Sequence, residues 1–398
     1  MWTIIPYKEK FLKFKNPLNA KLYTSRHVED LLSSTISSRQ EGDLKSEFQS
    51  LSSKTYQVFI VFYDYLNELL HHDKKLFEDE RNYVLKIEYQ DFEAIKNLGD
   101  GDDFELTELA SPQFSQYEEL FQKVYDNLLK GNCYQINLTR PFEFGLRNKT
   151  TGKDLEAFSL VSKLWQQKEN IGAYANATFI PSKDKLYLSN SPECLFRIEG
   201  RNESRMIKTF PIKGTAKFSS KDNFQKVWHE LVNCPKNQAE LDMITDLMRN
   251  DLSSIGGDFS EVISRSVPLR VPGILHQFSI VQKQLKLNHD LWDVVKRLFP
   301  GGSITGAPKE RVSEMIHQIE GYSRGFYCGS TIISHGNYAC GSINIRSSEV
   351  ELKKGNLFYG AGGGITLQSQ SQSEFEEMLR KVRSFSALLD SGYKKTQD

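Results

Sequence analysis

The residues able to do chemistry in this 398-residue chain are a set of glutamates, one lysine beside a glycine, and several glycine runs. Glu374 and Glu377 are three apart in a segment whose spacing predicts a helix from about Ser373 to Leu389, so both project from one face, with Lys381 one turn beyond. Glu240 falls on a different predicted helix, with Met243, Ile244, Leu247 and Met248. Carboxylates brought together from two helices make an oxygen-rich site suited to Mg2+, which takes few protein ligands and keeps water and substrate in its shell. The same pattern also describes a solvated helix face carrying an ion pair from Glu377 to Lys381.

Lys213 stands in Pro211-Ile212-Lys213-Gly214-Thr215, read as a tight turn. A lysine amine attacks carbon only when neutral, so a nucleophilic role requires cations close to it. Glu193, in Ser191-Pro192-Glu193, is either a proton donor or a surface residue of a strand turn. As a donor near neutral pH it needs a pKa raised by burial or by nearby negative charge. Gly301-Gly302, Gly306 and Gly362-Gly363-Gly364 allow backbone N–H groups to approach an anion closely. No Gly-x-Gly-x-x-Gly follows a predicted strand with a partner acid, which argues against a dinucleotide loop.

These residues need a scaffold, and the chain predicts one of mixed α and β without regular βαβ alternation. A strand-like run, Tyr56 to Tyr63, precedes the acidic loop Gly99-Asp100-Gly101-Asp102-Asp103. Ser111 is read as the cap of a helix with apolar face Tyr117, Leu120, Phe121, Val124 and Leu128, stopped by Gly131. Alternation over Cys133 to Thr139 predicts a strand with Tyr134, Ile136 and Leu138 on one face and Gln135, Asn137 and Thr139 on the other, the polar face lining a pocket or meeting water. Further strands are expected at Leu186–Leu188, Cys194–Ile198 and Met206–Phe210, and near Phe326–Ile333 and Tyr338–Ile345, the last two forming a hairpin around His335-Gly336-Asn337. Cys234-Pro235 separates two helices, and a third begins near Pro308.

Composition excludes several classes. Lysine plus arginine equals aspartate plus glutamate, 51 each, which argues against a polyanion-binding protein. The five cysteines, Cys133, Cys194, Cys234, Cys328 and Cys340, are odd in number and form no Cys-x-x-Cys, so neither a zinc ribbon nor a disulfide framework is expected, and reduced thiols in a cytoplasm fit. No apolar run approaches the roughly 20 residues of a membrane span.

Taken together, Ser191-Pro192-Glu193, the Pro-Ile-Lys-Gly-Thr segment, Ala239-Glu240, Gly301-Gly302-Ser303-Ile304-Thr305-Gly306-Ala307-Pro308-Lys309, and Gly360 to Ile365 followed by Glu374, Glu377 and Lys381 resemble the chorismate-utilising enzymes, over roughly residues 111 to 390. The resemblance implies an α+β, anthranilate-synthase-like fold with large antiparallel-rich sheets flanked by helices. It places a catalytic domain at 106–390, a loosely matching N-terminal region at 1–105 packed on the same core, and a tail at 391–398. Lysine at position 213 is similar to the branch that aminates chorismate at C4, where anthranilate-forming members carry alanine. Gln135 in Tyr134-Gln135-Ile136-Asn137 also resembles amine-transferring members, since those that use water carry a lysine base there, and a neutral amide cannot deprotonate water.

Site roles follow from the resemblance alone. Glu240 and Glu377 would hold Mg2+, with Glu374 acting through water, and Glu193 would be the general acid. Lys213 would attack C2 of chorismate, and ammonia would then displace it at C4 to give 4-amino-4-deoxychorismate, on the route to 4-aminobenzoate and folate. Gln135, Gly214, Thr215, Thr305, Tyr327, Gly362 and Gly363 would contact substrate, with Arg346 and Lys381 on its carboxylates. His276 would either bond substrate or be a satisfied core histidine. Two departures are Asn237, where an acidic residue is usual, and Leu241. No Gly-x-Cys-x-Gly elbow of a glutamine amidotransferase surrounds any cysteine, so ammonia would come from a separate glutaminase subunit. The alternatives are formation of anthranilate, isochorismate or salicylate, and a non-catalytic chorismate-binding subunit.

Overall fold

Alternating apolar and polar residues build two large sheets, and every strand pairing among the described residues is antiparallel. The computed structural model describes residues 1–33, 35–38, 47–48, 54–70, 80–152, 154–200, 205–219, 221–256, 259–271, 274–286 and 288–393. Residues 394–398 of the expected tail lie outside the described residues.

The first sheet is 10-stranded and has Gln135–Asn148 near one end, between Gly306–Ala307 and Asn356–Ile365. It continues through Ser347–Glu351, Lys185–Ser189 and Asn176–Ile180 to Trp2–Tyr7, Lys10–Lys15 and Phe92–Ile95. The second sheet is 12-stranded and starts at Ile212–Lys217 on Ile274–Gln284. It then runs through Met206–Thr209, Cys194–Glu199, Tyr338–Ser342 and Ser330–His335 to Tyr56–Val61 and the N-terminal strands. The first hundred residues therefore supply strands to both sheets. One apolar core lies under the first sheet with Phe114–Leu129 and Ser371–Leu389, and another under the second sheet with Pro235–Ser253 and Leu291–Leu298.

Several expected elements form within a residue or two of their predicted bounds. Examples are Lys185–Ser189, Cys194–Glu199, Met206–Thr209, Lys309–Glu320 and Ser371–Leu389, and the pair Phe224–Val232 and Pro235–Ser253 split at Cys234. Others differ for local reasons. The first long helix begins at Phe114 with Gln113 at the cap; Ser111 precedes Pro112 and instead donates its hydroxyl to Glu108 Oε1 at 2.6 Å. The strand expected from Cys133 begins at Gln135, and Tyr134 is 71% exposed rather than sharing the face of Ile136 and Leu138. The polar face is no open surface: Gln135, Asn137 and Thr139 are all buried.

Lys213 lies in an edge strand rather than a free turn. Ile212–Lys217 pairs Lys213 with Gln277 and Thr215 with His276, and Gly214 is the extra residue between them, at φ +82. That backbone region favours glycine, and a Cβ there would also fall 2.8 Å from Gln277 Nε2.

The glycine segment and the Gln135 strand are clamped by one buried ion pair that the sequence reading did not identify. Arg324 donates through Nε and Nη2 to Glu320 (2.8 and 2.7 Å), through Nη1 to Ile304 O (2.7 Å) and through Nη2 to Asn137 O (2.7 Å). Glu320 Oε1 also accepts from Thr139 N and Oγ1, at 2.8 and 3.0 Å. Both side chains are 1% exposed. Removing one partner strands a buried charge, so Arg324→Met is expected to destabilise the protein by about 3–5 kcal/mol in urea unfolding, with much of that recovered in Arg324→Met/Glu320→Leu. A single variant as stable as the wild type would contradict this account.

Candidate active site

Strand pairing in the first sheet sets the floor of the site. Leu138 pairs with Gly363 and Thr139 with Gly362, which carries the glycine strand alongside Gln135. A Cβ on Gly364 would lie 2.7 Å from Gln135 Nε2, so the buried amide rests directly over the glycine backbone. A Cβ on Gly363 would meet Glu374 Oε2 at 3.1 Å and Lys381 Nζ at 3.9 Å, which places the glutamate and the lysine above the same strand. Lys381 Nζ donates to Gly362 O at 2.7 Å and pairs with Glu377 Oε1 at 3.0 Å. A side chain at Gly364 would displace Gln135, and one at Gly363, on the opposite face, would displace Glu374 and Lys381.

The second sheet brings Lys213 and Glu193 to the same place. The Lys213 ammonium is close enough to both Glu193 and Glu377 to favour their ionised forms. An amine, a candidate acid and a candidate metal ligand therefore converge from three separate elements. Burial nevertheless raises the Glu193 pKa above the ordinary carboxylate range, against the opposing pull of the Ser303 hydroxyl and Lys213. Ser303, within the glycine segment, has no role in the sequence reading; its place next to Glu193 depends on the fold.

The helix carboxylates divide by environment. Burial opposes the charge on Glu377, but Lys381, Arg380 and Lys213 together hold its pKa below the ordinary value. Glu374 goes the other way: burial and the neighbouring Glu377 carboxylate raise its pKa, although Ser369 Oγ donates to it at 2.7 Å. Glu240 projects from Pro235–Ser253 with Lys236 Nζ at 4.0 Å, and the Lys236 charge also reaches Glu374. Lys236 stands one helical turn before Glu240, an i,i+4 relation already present in the sequence.

Among the described residues no group of three or more His, Cys, Asp or Glu is close enough to hold a metal ion, and lysines are interleaved with the acids. The structure thus brings Glu374 and Glu377 together and leaves Glu240 facing Lys236. The donor type does fit Mg2+: hard oxygens only, with two mutually repelling carboxylates, one of them bonded to a hydroxyl rather than to an ammonium.

The remaining candidates fall into two groups. His276 Nδ1 and Thr215 Oγ1 are 2.9 Å apart, and the His276 pKa is lowered by burial and by the nearby Arg346 charge. Arg346 is exposed, sits at φ +51, and its charge also reaches Tyr359. His276, Gly214, Thr215 and Arg346 form a polar wall next to the lysine strand. Tyr327 and Thr305 are structurally engaged. The Tyr327 ring packs on Gly360, where a Cβ would come within 2.1 Å, and Thr305 is fully buried with its hydroxyl donated to Gly301 O at 3.0 Å.

With this geometry in view, comparison with known proteins is direct. The model of the chorismate binding enzyme family matches residues 26–387. The chain is 33% identical over 279 residues to aminodeoxychorismate synthase component 1 of Klebsiella aerogenes, covering 69% of this chain and 58% of that protein. It is 31% identical over 268 residues to anthranilate synthase component 1 of Archaeoglobus fulgidus, covering 67% and 60%. Its fold matches the crystal structure of anthranilate synthase component I from Streptococcus pneumoniae, with a TM-score of 0.75 and 19% identity over 96% of this chain and 93% of that one. The chain belongs to the family of chorismate binding enzymes. Its match spans 58% and 60% of the lengths of the two curated relatives.

Glu193 provides a test of the site's electrostatics. Because its pKa is higher folded than unfolded, the ionised carboxylate costs the folded state stability as pH rises from the ordinary value of 4.5 through the raised one. Glu193→Gln keeps the shape without the charge. It is expected to melt higher than the wild type at pH 7–8, with the advantage gone below pH 4. A melting difference that does not vary with pH would remove burial as the cause.

Proposed function

We propose that this chain aminates chorismate at C4, releasing 4-amino-4-deoxychorismate, with ammonia delivered by a separate glutaminase. The observation that carries this reading is that the Lys213 charge acts on both Glu193 and Glu377, residues of two other elements. Membership of the chorismate binding family supports the substrate, and the name of the Klebsiella relative supports the reaction and a second component. Gln135 over Gly364 supports ammonia over water, because a buried amide has no basic lone pair to activate water.

In this reading the exposed Arg346 and the half-buried Lys381 take the two carboxylates of chorismate, Arg346 through the planar fork of its guanidinium. Glu193, with its pKa raised by desolvation, would give its proton to the departing 4-hydroxyl. Lys213 Nζ forms a bond to C2 as the C4–O bond breaks and water leaves; ammonia then bonds to C4, the ring double bonds shift back, and the C2–N bond to Lys213 breaks. One difficult substitution is thereby divided into two steps, the first expelling water and the second the Lys213 amine. Glu377 and Glu240, supported by Glu374, would hold Mg2+, which when bound supplies Lewis-acid withdrawal at the ring carboxylate. A second reading, anthranilate formation, is favoured by relatives such as the Archaeoglobus protein.

Mass spectrometry of products from chorismate, Mg2+ and ammonium, with and without an added aminodeoxychorismate lyase, decides between them. 4-Aminobenzoate appearing only with the lyase is the expected result; anthranilate, isochorismate or salicylate would reject the reading. Lys213→Ala is expected to abolish any covalent adduct in quenched reactions and to slow turnover by on the order of 10²-fold, about 2.7 kcal/mol of barrier. An unchanged rate would remove Lys213 as nucleophile. Glu377→Gln is expected to weaken divalent-ion binding by roughly tenfold or more, read as Mn2+ paramagnetic resonance as well as Mg2+ activation. Unaltered Mn2+ binding would take Glu377 out of the metal set.

A further inference from the structure

Two cysteines lie next to the candidate acid. Cys194 immediately follows Glu193 and pairs with Ser342, while Cys340, two residues earlier on that strand, pairs with Arg197 across an irregularity in register. Paired and alternate residues share a sheet face, so Cys194, Cys340 and Arg197 project together. The two thiols lie on neighbouring strands and are near enough to influence each other's ionisation, and the Arg197 guanidinium and the Tyr338 hydroxyl act on Cys340 as well. Arg197 is itself held by a 3.0 Å bond to Tyr174 OH and lies over the Phe210 ring. Cys194 is buried and Cys340 is partly open to solvent.

We propose that Cys194 and Cys340 form a peroxide-sensitive dithiol, a modification site whose closure moves the strand end that carries Glu193. The Cys340 sulfur attacks one peroxide oxygen, the O–O bond breaks, and water leaves with a sulfenic acid formed on Cys340. The Cys194 sulfur then attacks the Cys340 sulfur, and the departing hydroxide takes the Cys194 proton as a second water. Two thiols are oxidised by two electrons and the peroxide is reduced to two waters. The local charges match this order of events: Cys194 and Arg197 hold the Cys340 thiol below the usual cysteine range, whereas burial pushes Cys328 up to about 12 and also raises Cys133. The link to Glu193 is direct, because Glu193 O accepts from Ile343 N at 3.0 Å and Ser191 Oγ donates to Ile343 O at 2.5 Å. Drawing Cys194 toward Cys340 pulls on that joint.

The experiment is peptide mass mapping without reductant after graded hydrogen peroxide, in a Cys234→Ser background so that the other partly exposed thiol does not compete. The expected first product is a Cys194–Cys340 linked peptide, reversed by dithiothreitol. In Cys194→Ser the expected product is a dimedone-trapped sulfenic acid on Cys340 with no link. Reaction of Cys133 or Cys328 before Cys340, or passage of Cys340 to the sulfonic acid without a link, would overturn the proposal. The effect on the site rests on the chorismate reading: the linked form is expected to turn over chorismate on the order of tenfold more slowly than the reduced form, and Cys194→Ser/Cys340→Ser to be insensitive to peroxide. A linked form with unchanged turnover would overturn the coupling to Glu193. A reduced protein without turnover would count against the function while leaving the mass map to decide the dithiol.

Discussion

The site depends on the buried pair of Glu320 and Arg324. Their charges are far from water, so every remaining donor and acceptor must be satisfied by protein. The groups that satisfy them are backbone carbonyls of Asn137 and Ile304 and the amide and hydroxyl of Thr139. Those atoms belong to the Gln135 strand and to the segment that bears Ser303 and Thr305. One desolvated guanidinium thus sets the spacing between the floor of the site and the loop beside Glu193. The ring of Tyr63, 4.6 Å beneath the guanidinium, ties the N-terminal region into the same joint.

Around that joint the site separates the behaviour of its carboxylates by surroundings. Glu193 is desolvated and its one nearby ammonium does not outweigh burial, which favours the protonated form. Glu377 is surrounded by three cations and stays ionised. Glu374, next to Glu377, is raised by it. For the proposed function, a carboxyl of raised pKa and one of lowered pKa near the same lysine suit an elimination–addition on a dianionic substrate. The glycines matter for a steric reason: Gln135, Glu374 and Lys381 approach the backbone of Gly363 and Gly364 so closely that a side chain there would displace them.

Much of this was legible from local patterns. The i,i+3 and i,i+4 relations of Glu374, Glu377 and Lys381 survive unchanged because a helix transmits them geometrically. Cys234-Pro235 breaks the helix where a missing N–H must break it. The misreadings occur where tertiary contacts override local preference. The local pattern around Lys213 predicts a turn because of Gly214, yet the long Ile274–Gln284 strand captures the segment and leaves Gly214 as a bulge. The alternation at Cys133 to Thr139 suits either a lined pocket or an open face, and the burial of Gln135, Asn137 and Thr139 rejects the open face.

By itself the sequence determined the family, the residue types of the site and the helical spacing of its acids, because motifs and periodicities are short-range properties of the chain. Only the tertiary structure decided which of those residues meet. Lys213, Glu193 and Glu377 come from segments far apart in the chain, and their mutual electrostatic reach follows from how the two sheets and the last helix pack. The Ser303 contact to Glu193 and the placing of Cys340 on the strand beside Cys194 were decided at the same level. Burial, which sets the protonation of Glu193, is a property of the packed core and has no counterpart in a local pattern.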